Sequence, residues 1–166
     1  MKKVFTILAI SLFLFSCSKD VTFNNPGFQA RKDNFNWKAD IINGNITNGV
    51  LTINAYLRNE LVTIMVPAPL SNVFKNNPLE YTFGITQNEP FNNSSVDFKT
   101  ALDGVELIYK TNTEQSNGQF IITNFDFSKR KLSGTFRFNA TYQGVNPAIA
   151  KNVNFQEGFV YEVIIN

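Results

Sequence analysis

Apolar and polar residues alternate with a period of two along most of this chain. The clearest stretch is 132–142, where Phe136, Phe138, Ala140 and Tyr142 alternate with Thr135, Arg137, Asn139 and Thr141. Residues 50–57 behave alike, with Leu51, Ile53, Ala55 and Leu57 on one side and Thr52, Asn54 and Tyr56 on the other. Successive side chains of a strand point to opposite faces, so this alternation predicts strands buried on one side. Shorter runs predict further strands over 28–31, 37–42, 61–66, 79–85, 96–102, 105–110, 119–127 and 157–165. The last is apolar on both faces near its end, which predicts a central place in its sheet.

Turn signals separate these runs. Asn43-Gly44 and Asn48-Gly49 are turn dipeptides, Arg58-Asn59-Glu60 is a turn, and Asp103-Gly104 is a two-residue hairpin signal. Pro67-Ala68-Pro69 ends a strand, because proline has no N–H to give to a ladder. No amphipathic helix of respectable length is visible. The pattern predicts an all-β chain: an antiparallel β-sandwich or barrel-like sheet of about nine or ten strands. Trp37 between polar neighbours reads as core, and Gly134 reads as a bulge or a close backbone approach. Three polar loops, 67–78, 86–95 and 143–152, are the candidate places for a binding site, since loops carry function on rigid β scaffolds.

The first residues break the strand pattern. Met1-Lys2-Lys3 is positive, residues 4–15 are apolar apart from Thr6 and Ser11, and Ser16 and Cys17 follow. That is the layout of a secretory signal. Its apolar run falls short of the roughly 20 residues of a spanning helix. Leu14-Phe15-Ser16-Cys17 resembles the lipobox of bacterial lipoproteins, although Phe15 is larger than the usual residue there. The resemblance implies cleavage between Ser16 and Cys17, a diacylglyceryl group on the Cys17 thiol, and acylation such as palmitate on the new amine. Each buried CH₂ adds roughly 0.8 kcal/mol, so two or three chains give a stable anchor where one is marginal. Ser18-Lys19-Asp20 resembles the start of many lipoproteins of Bacteroidota, in which a lysine and acids after the cysteine direct surface export; Val21 stands where a second acid is usual. Ser18 is not the aspartate that retains enterobacterial lipoproteins at the inner membrane, so the expected location is the outer membrane, at its periplasmic face or at the cell surface. The expected organisation is a signal peptide over 1–16, the lipidated cysteine and a tether over 17–27, and one all-β domain over 28–166.

Composition narrows the chemistry. The full chain has 15 basic and 13 acidic residues, and losing Lys2 and Lys3 with the signal leaves 13 against 13. A neutral domain has no global field for nucleic acid. Lys129-Arg130-Lys131 is the one basic cluster and suits a solvated tip. The single Cys serves the anchor, so no disulfide forms within the domain. There is no histidine, which removes the commonest general base, the commonest metal ligand and any Ser-His or Cys-His system. No phosphate loop, nucleophile elbow or zinc motif occurs. Calcium on scattered oxygens is compatible with the sequence but not indicated by it. Asp103, Asp126 and Glu80 lie in or near turns, where solvation accounts for them. The expectation is a non-enzymatic binding or structural module that uses no cofactor or metal, held to the membrane by its lipid, with an envelope protein, a glycan or a small apolar molecule as partner. The alternatives are a lipocalin-like carrier with an open Phe-lined lumen, and a hydrolase using two carboxylates.

Several short motifs follow one another along the chain: Phe28-Gln29-Ala30, Trp37-Lys38-Ala39, Gly49-Val50-Leu51-Thr52-Ile53, Gly118-Gln119-Phe120-Ile121-Ile122-Thr123, Ser133-Gly134-Thr135-Phe136-Arg137-Phe138-Asn139-Ala140 and Glu157-Gly158-Phe159. This order resembles a family of uncharacterised Bacteroidota lipoproteins, a domain of unknown function. Asp33-Asn34-Phe35-Asn36 replaces the family's Asp-Gly turn before the Trp strand. The resemblance implies a β domain on an anchor and carries over no functional residue.

Overall fold

The computed structural model describes residues 26–70, 77–84, 94–111, 113 and 117–166. These form eleven strands: β1 (Gly27–Lys32), β2 (Phe35–Lys38), β3 (Ile41–Thr47), β4 (Val50–Leu57), β5 (Glu60–Pro67), β6 (Leu79–Phe83), β7 (Ser95–Leu102), β8 (Val105–Lys110), β9 (Asn117–Asp126), β10 (Lys131–Tyr142) and β11 (Asn152–Ile164). Nine of them follow the order β2-β1-β11-β10-β8-β7-β5-β4-β3, while β9 pairs with β10 and β6 pairs with β9. The strands named in pairs are antiparallel, and the sheet curls into a half-barrel. The all-β, barrel-like expectation holds, and the predicted central place of the last strand holds too, since β11 lies between β1 and β10.

The curl comes from a fork at β10. Its first part, Lys131 to Asn139, pairs with β9, and only Thr141 and Tyr142 pair with β8. One run, β6-β9-β10-β11-β1-β2, is thereby joined to a second run, β8-β7-β5-β4-β3, through two residue pairs. The far end of the second run returns to the first at the chain's C-terminus. Gly44 of β3 forms a parallel bridge with Ile165, Asn166 N donates to Gly44 O at 2.9 Å, and Ile46 N donates to Asn166 O at 3.3 Å. Two thin seams thus hold two wide runs face to face.

Core side chains fill the space between them. Phe155 stacks on Phe138 with centroids 4.6 Å apart, and meets Trp37 at 5.6 Å and Phe98 at 5.3 Å. Phe28 continues the cluster to Phe136 at 4.5 Å. All six are buried. Burying a phenylalanine fully contributes roughly 1.5–3 kcal/mol, and ring pairs add roughly 0.5–1.5 kcal/mol. Trp37 is core, as its polar neighbours suggested, and its Nε1 donates to Glu60 Oε2 at 2.5 Å. Lys32 pairs with the other oxygen of that carboxylate and lies 5.2 Å above the Phe98 ring. Tyr81 donates from its hydroxyl to Pro67 O at 2.7 Å, tying β6 to the end of β5; burial pushes that phenol up to about 12.

Two sequence expectations need correction. Residues 37–42 are not one strand. The chain crosses between the two runs at Ala39 and Asp40: Ala39 N donates to Phe28 O and Asp40 N to Tyr56 O, one bond to each side. Asn43-Gly44 is not a turn but lies inside β3. A Cβ on Gly44 would stand 2.4 Å from Ile165 Cδ1 and 2.9 Å from Ile164 O, so glycine is there for the close approach at the seam. The remaining turns are as expected: Asn48-Gly49 and Asp103-Gly104 both have positive φ at both positions, matching hairpin turns.

The seam makes a testable demand. Gly44→Val is expected to lower stability by about 1–3 kcal/mol through overpacking, read as a lower urea midpoint. An unchanged midpoint would mean that β3 does not press on the chain end.

Candidate functional site

The outer face of the first run is built from side chains that alternate with the core. Three rows cross it. Thr82, Gln119 and Arg137 stand abreast on β6, β9 and β10. Asn117, Asn139 and Asn154 stand abreast on β9, β10 and β11. Glu80, Ile121, Thr135 and Phe159 form the third row, across all four strands. Most of these alternate with buried residues, such as Phe120, Phe138 and Phe155, so the pattern that fills the core also sets this face.

A cleft of about 800 Å³ lies over the first two rows and includes Gln156 and Glu157 of β11. A second concavity, about 400 Å³, shares Gln119, Arg137 and Glu157 with it and extends over Ile121, Thr135 and Phe159. A third continues past Phe159 to Tyr161, and a fourth reaches Arg31 and Asp33 from Asn154 and Gln156. Together they make a groove running along β9, β10 and β11.

Local backbone shape in β11 creates the groove. Between Phe155 and Gly158 the strand carries an extra residue relative to both neighbours, β10 and β1. A second bulge lies between Val160 and Val163. Glu157 (φ 52) and Glu162 (φ 45) take the left-handed conformation at these bulges. That conformation disfavours residues with a Cβ by roughly 1–2 kcal/mol, and such strain persists where the surroundings enforce it, often at functional sites. Gly158 lies against β10: a Cβ there would be 2.6 Å from Phe136 O. The Glu157-Gly158-Phe159 motif thus has three separate jobs: a left-handed bulge residue, a close approach, and a half-buried ring in the groove. Gly134, read as a bulge or close approach, is a close approach that faces bulges in β9 and β11. Register shifts occur beside it on each side, and a Cβ would be 2.4 Å from Ile121 O.

The groove's chemistry is amide chemistry. Arg137 Nε donates to Gln119 Oε1 at 2.7 Å, and Gln119 Nε2 donates to Glu80 Oε1 at 3.1 Å, a relay across three strands. Glu157 Oε1 lies 3.8 Å from Arg31 Nη1. Asn139 Oδ1 is buried in the cleft wall and has no hydrogen-bond partner among the described residues. A buried acceptor left unmade costs about 1–3 kcal/mol. Glu80 and Arg137, and likewise Glu157 and Arg31, offset one another's charge.

The sequence-based candidates fall elsewhere. Ser16 and Cys17, with the whole of 1–25, lie outside the described residues, as do 71–76 of the loop 67–78 and 86–93 of the loop 86–95. The loop 143–152 is described and forms no part of the groove; strand pairing begins already at Asn152. Glu80 lies within β6, whereas Asp103 and Asp126 are at turns. Asp126 accepts from the Ser128 hydroxyl and from the Ser128 and Lys129 N–H groups, which hold its carboxyl below the ordinary range. In the basic cluster Lys129 pairs with Asp126, and Lys131 pairs with Glu162, which raises its ammonium's pKa. Among the described residues no group of three or more His, Cys, Asp or Glu gathers as a metal site would need. Thr135, Arg137 and Asn139 lie on the polar side of the predicted 132–142 strand and Gln119 opens the predicted 119–127 strand, whereas Asn117, Asn154 and Gln156 fall outside the predicted strands. Their signal was the spacing: Asn117 and Gln119, Arg137 and Asn139, and Asn154 and Gln156 each lie two apart on adjacent strands.

The family described as Domain of unknown function (DUF6252) matches residues 24–164. No curated protein and no solved structure matches the chain.

If the left-handed conformation of Glu157 is retained for its side chain, removing that side chain should relieve strain. Glu157→Gly is expected to raise stability by up to about 1 kcal/mol, measured by urea unfolding. A clear loss of stability would show that Glu157 is held by its own contacts instead.

Proposed function

The chain belongs to the DUF6252 family, and from that premise we propose that it is a lipid-anchored binding module of the cell envelope whose binding face is the outer groove of β9, β10 and β11. The observation that carries the binding role is the groove itself: a continuous concavity lined by convergent polar groups, with the unpartnered Asn139 Oδ1 in its wall. Concave sites with a few converging polar groups are where small ligands bind. The resemblance of Leu14-Phe15-Ser16-Cys17 to a lipobox supports the anchor, with Cys17 as the acylated first residue after cleavage at Ser16. The ten residues 18–27 can span roughly 33 Å when extended. That is enough to hold the domain clear of lipid head groups at the outer membrane.

Two features favour binding over the alternatives. The space between the runs is occupied by the Phe28, Trp37, Phe98, Phe136, Phe138 and Phe155 rings, whose neighbours touch at 4.5–5.9 Å, which counts against an apolar cargo in a lumen. Glu80 and Glu157 share the cleft but stand on strands three spacings apart. Their backbones are about 14 Å apart at roughly 4.8 Å per strand, and the two carboxylates turn to different partners, Glu80 to Gln119 and Glu157 to Arg31. The face therefore fits recognition without bond cleavage.

The test has two parts. Wild-type protein is expected to fractionate with membranes and to incorporate labelled palmitate, while Cys17→Ala does neither; a soluble, unlabelled wild type would overturn the anchor. In detergent, the protein is expected to cosediment with detergent-insoluble envelope, and Gln119→Ala/Arg137→Ala is expected to lose that retention with its melting temperature unchanged. Retention that survives the double substitution would overturn the assignment of the face.

A further inference from the structure

We propose that the groove takes an uncharged, polyhydroxylated chain, an oligosaccharide lying along β9 and β10; this rests on the outer face being the binding face. The argument starts from what the lining can offer. A side-chain amide donates and accepts at once, as a sugar hydroxyl does. Asn117, Gln119, Asn139, Asn154 and Gln156 put five such amides in one cleft, with Arg137 among them. Rows on a strand repeat every two residues, roughly 6.8 Å, so the amides meet a ligand at regular steps instead of at one point.

The neighbouring row supplies a different contact. Ile121 and Phe159 place an apolar strip beside the amides, in the same groove. A sugar ring has polar edges and C–H faces, and this pairing of amide edge with apolar strip matches both. From Asn117 to Asn124 the groove spans eight residues of β9, roughly 25 Å. A span of that length suits an extended oligomer better than a single sugar.

Other ligand classes fit less well. Phosphate-bearing chains need an excess of positive charge, and here Arg137 and Arg31 face Glu80 and Glu157. A peptide adding as a strand needs free backbone donors and acceptors at a sheet edge. Along the groove β10 and β11 lie between strand neighbours, and β6 covers β9 over Gly118–Ile122, so mainly side chains are on offer.

The full-length protein in detergent is titrated calorimetrically with neutral hexasaccharides of glucose, xylose, mannose and N-acetylglucosamine, with the matching monosaccharides, and with oligogalacturonate as a charged comparator. At least one neutral hexasaccharide is expected to bind. Its monosaccharide and the charged comparator are expected to bind about tenfold more weakly or worse. Asn117→Ala and Gln119→Ala/Arg137→Ala, all on the outer face, are expected to weaken binding about tenfold or more, the equivalent of roughly one good hydrogen bond, with the melting temperature unchanged. Binding that is indifferent to these substitutions would overturn the proposal. So would failure of every neutral hexasaccharide at millimolar concentration. If the double variant still loses envelope retention in that case, the face binds another class of ligand and only the sugar assignment falls; if retention is also intact, both fall.

Discussion

Phe155 is where the two runs of strands meet. Its ring touches Phe138 and Trp37 on its own side and Phe98 on the other. The seams cannot carry this load, since two residue pairs close one side and a single bridge closes the other. Hydrophobic burial between the runs is what keeps the curl shut, as expected for packing that scales with apolar area. The same contact decides where function can sit. The described rings occupy the space between the runs, which is why the proposed binding face is the solvent side of the strands whose inner side forms the core.

That division runs through individual residues of β10 and β11. Phe138 and Phe155 point in; Arg137, Asn139, Asn154 and Gln156 point out. The bulges in β11 let one strand serve both demands. They keep Phe155, Val160 and Val163 on the core while the backbone between them bends, and bulges are known to bend strands and redirect side chains. Glu157 takes a disfavoured conformation at the first bulge, in the lining of the cleft. Stability is thus given up in the place where the surface is most shaped, as is common at binding sites.

How much of this was legible in the sequence follows from what period-two patterning encodes. Strands such as β4 and β8 are readable to the residue, because one face is apolar and their turns are Asn-Gly and Asp-Gly. Gly44 misleads because Asn-Gly is a turn signal locally, while its glycine answers to Ile165, distant in the chain. The break at Ala39 and Asp40 is invisible for a similar reason: it is set by hydrogen bonds to β1 and β4, not by a breaking residue. The groove was half-legible. Each pair of amides can be read from its own strand, but that β6, β9, β10 and β11 are neighbours is a fact of pairing order, which a single sequence does not state. Lys32 and Glu60 likewise meet around Trp37 only in the fold.

The claim that recognition occurs on the outer face, and not in the interior or at the loop ends, is open to one direct measurement. Hydroxyl-radical footprinting of the protein in intact cell envelopes, compared with the purified protein in detergent, reports which side chains become covered. The account predicts protection at Phe159, Tyr161 and Arg137, with Phe127 and Val145 unchanged. Protection confined to the 143–151 loop, or equal exposure of the groove in both samples, would contradict it.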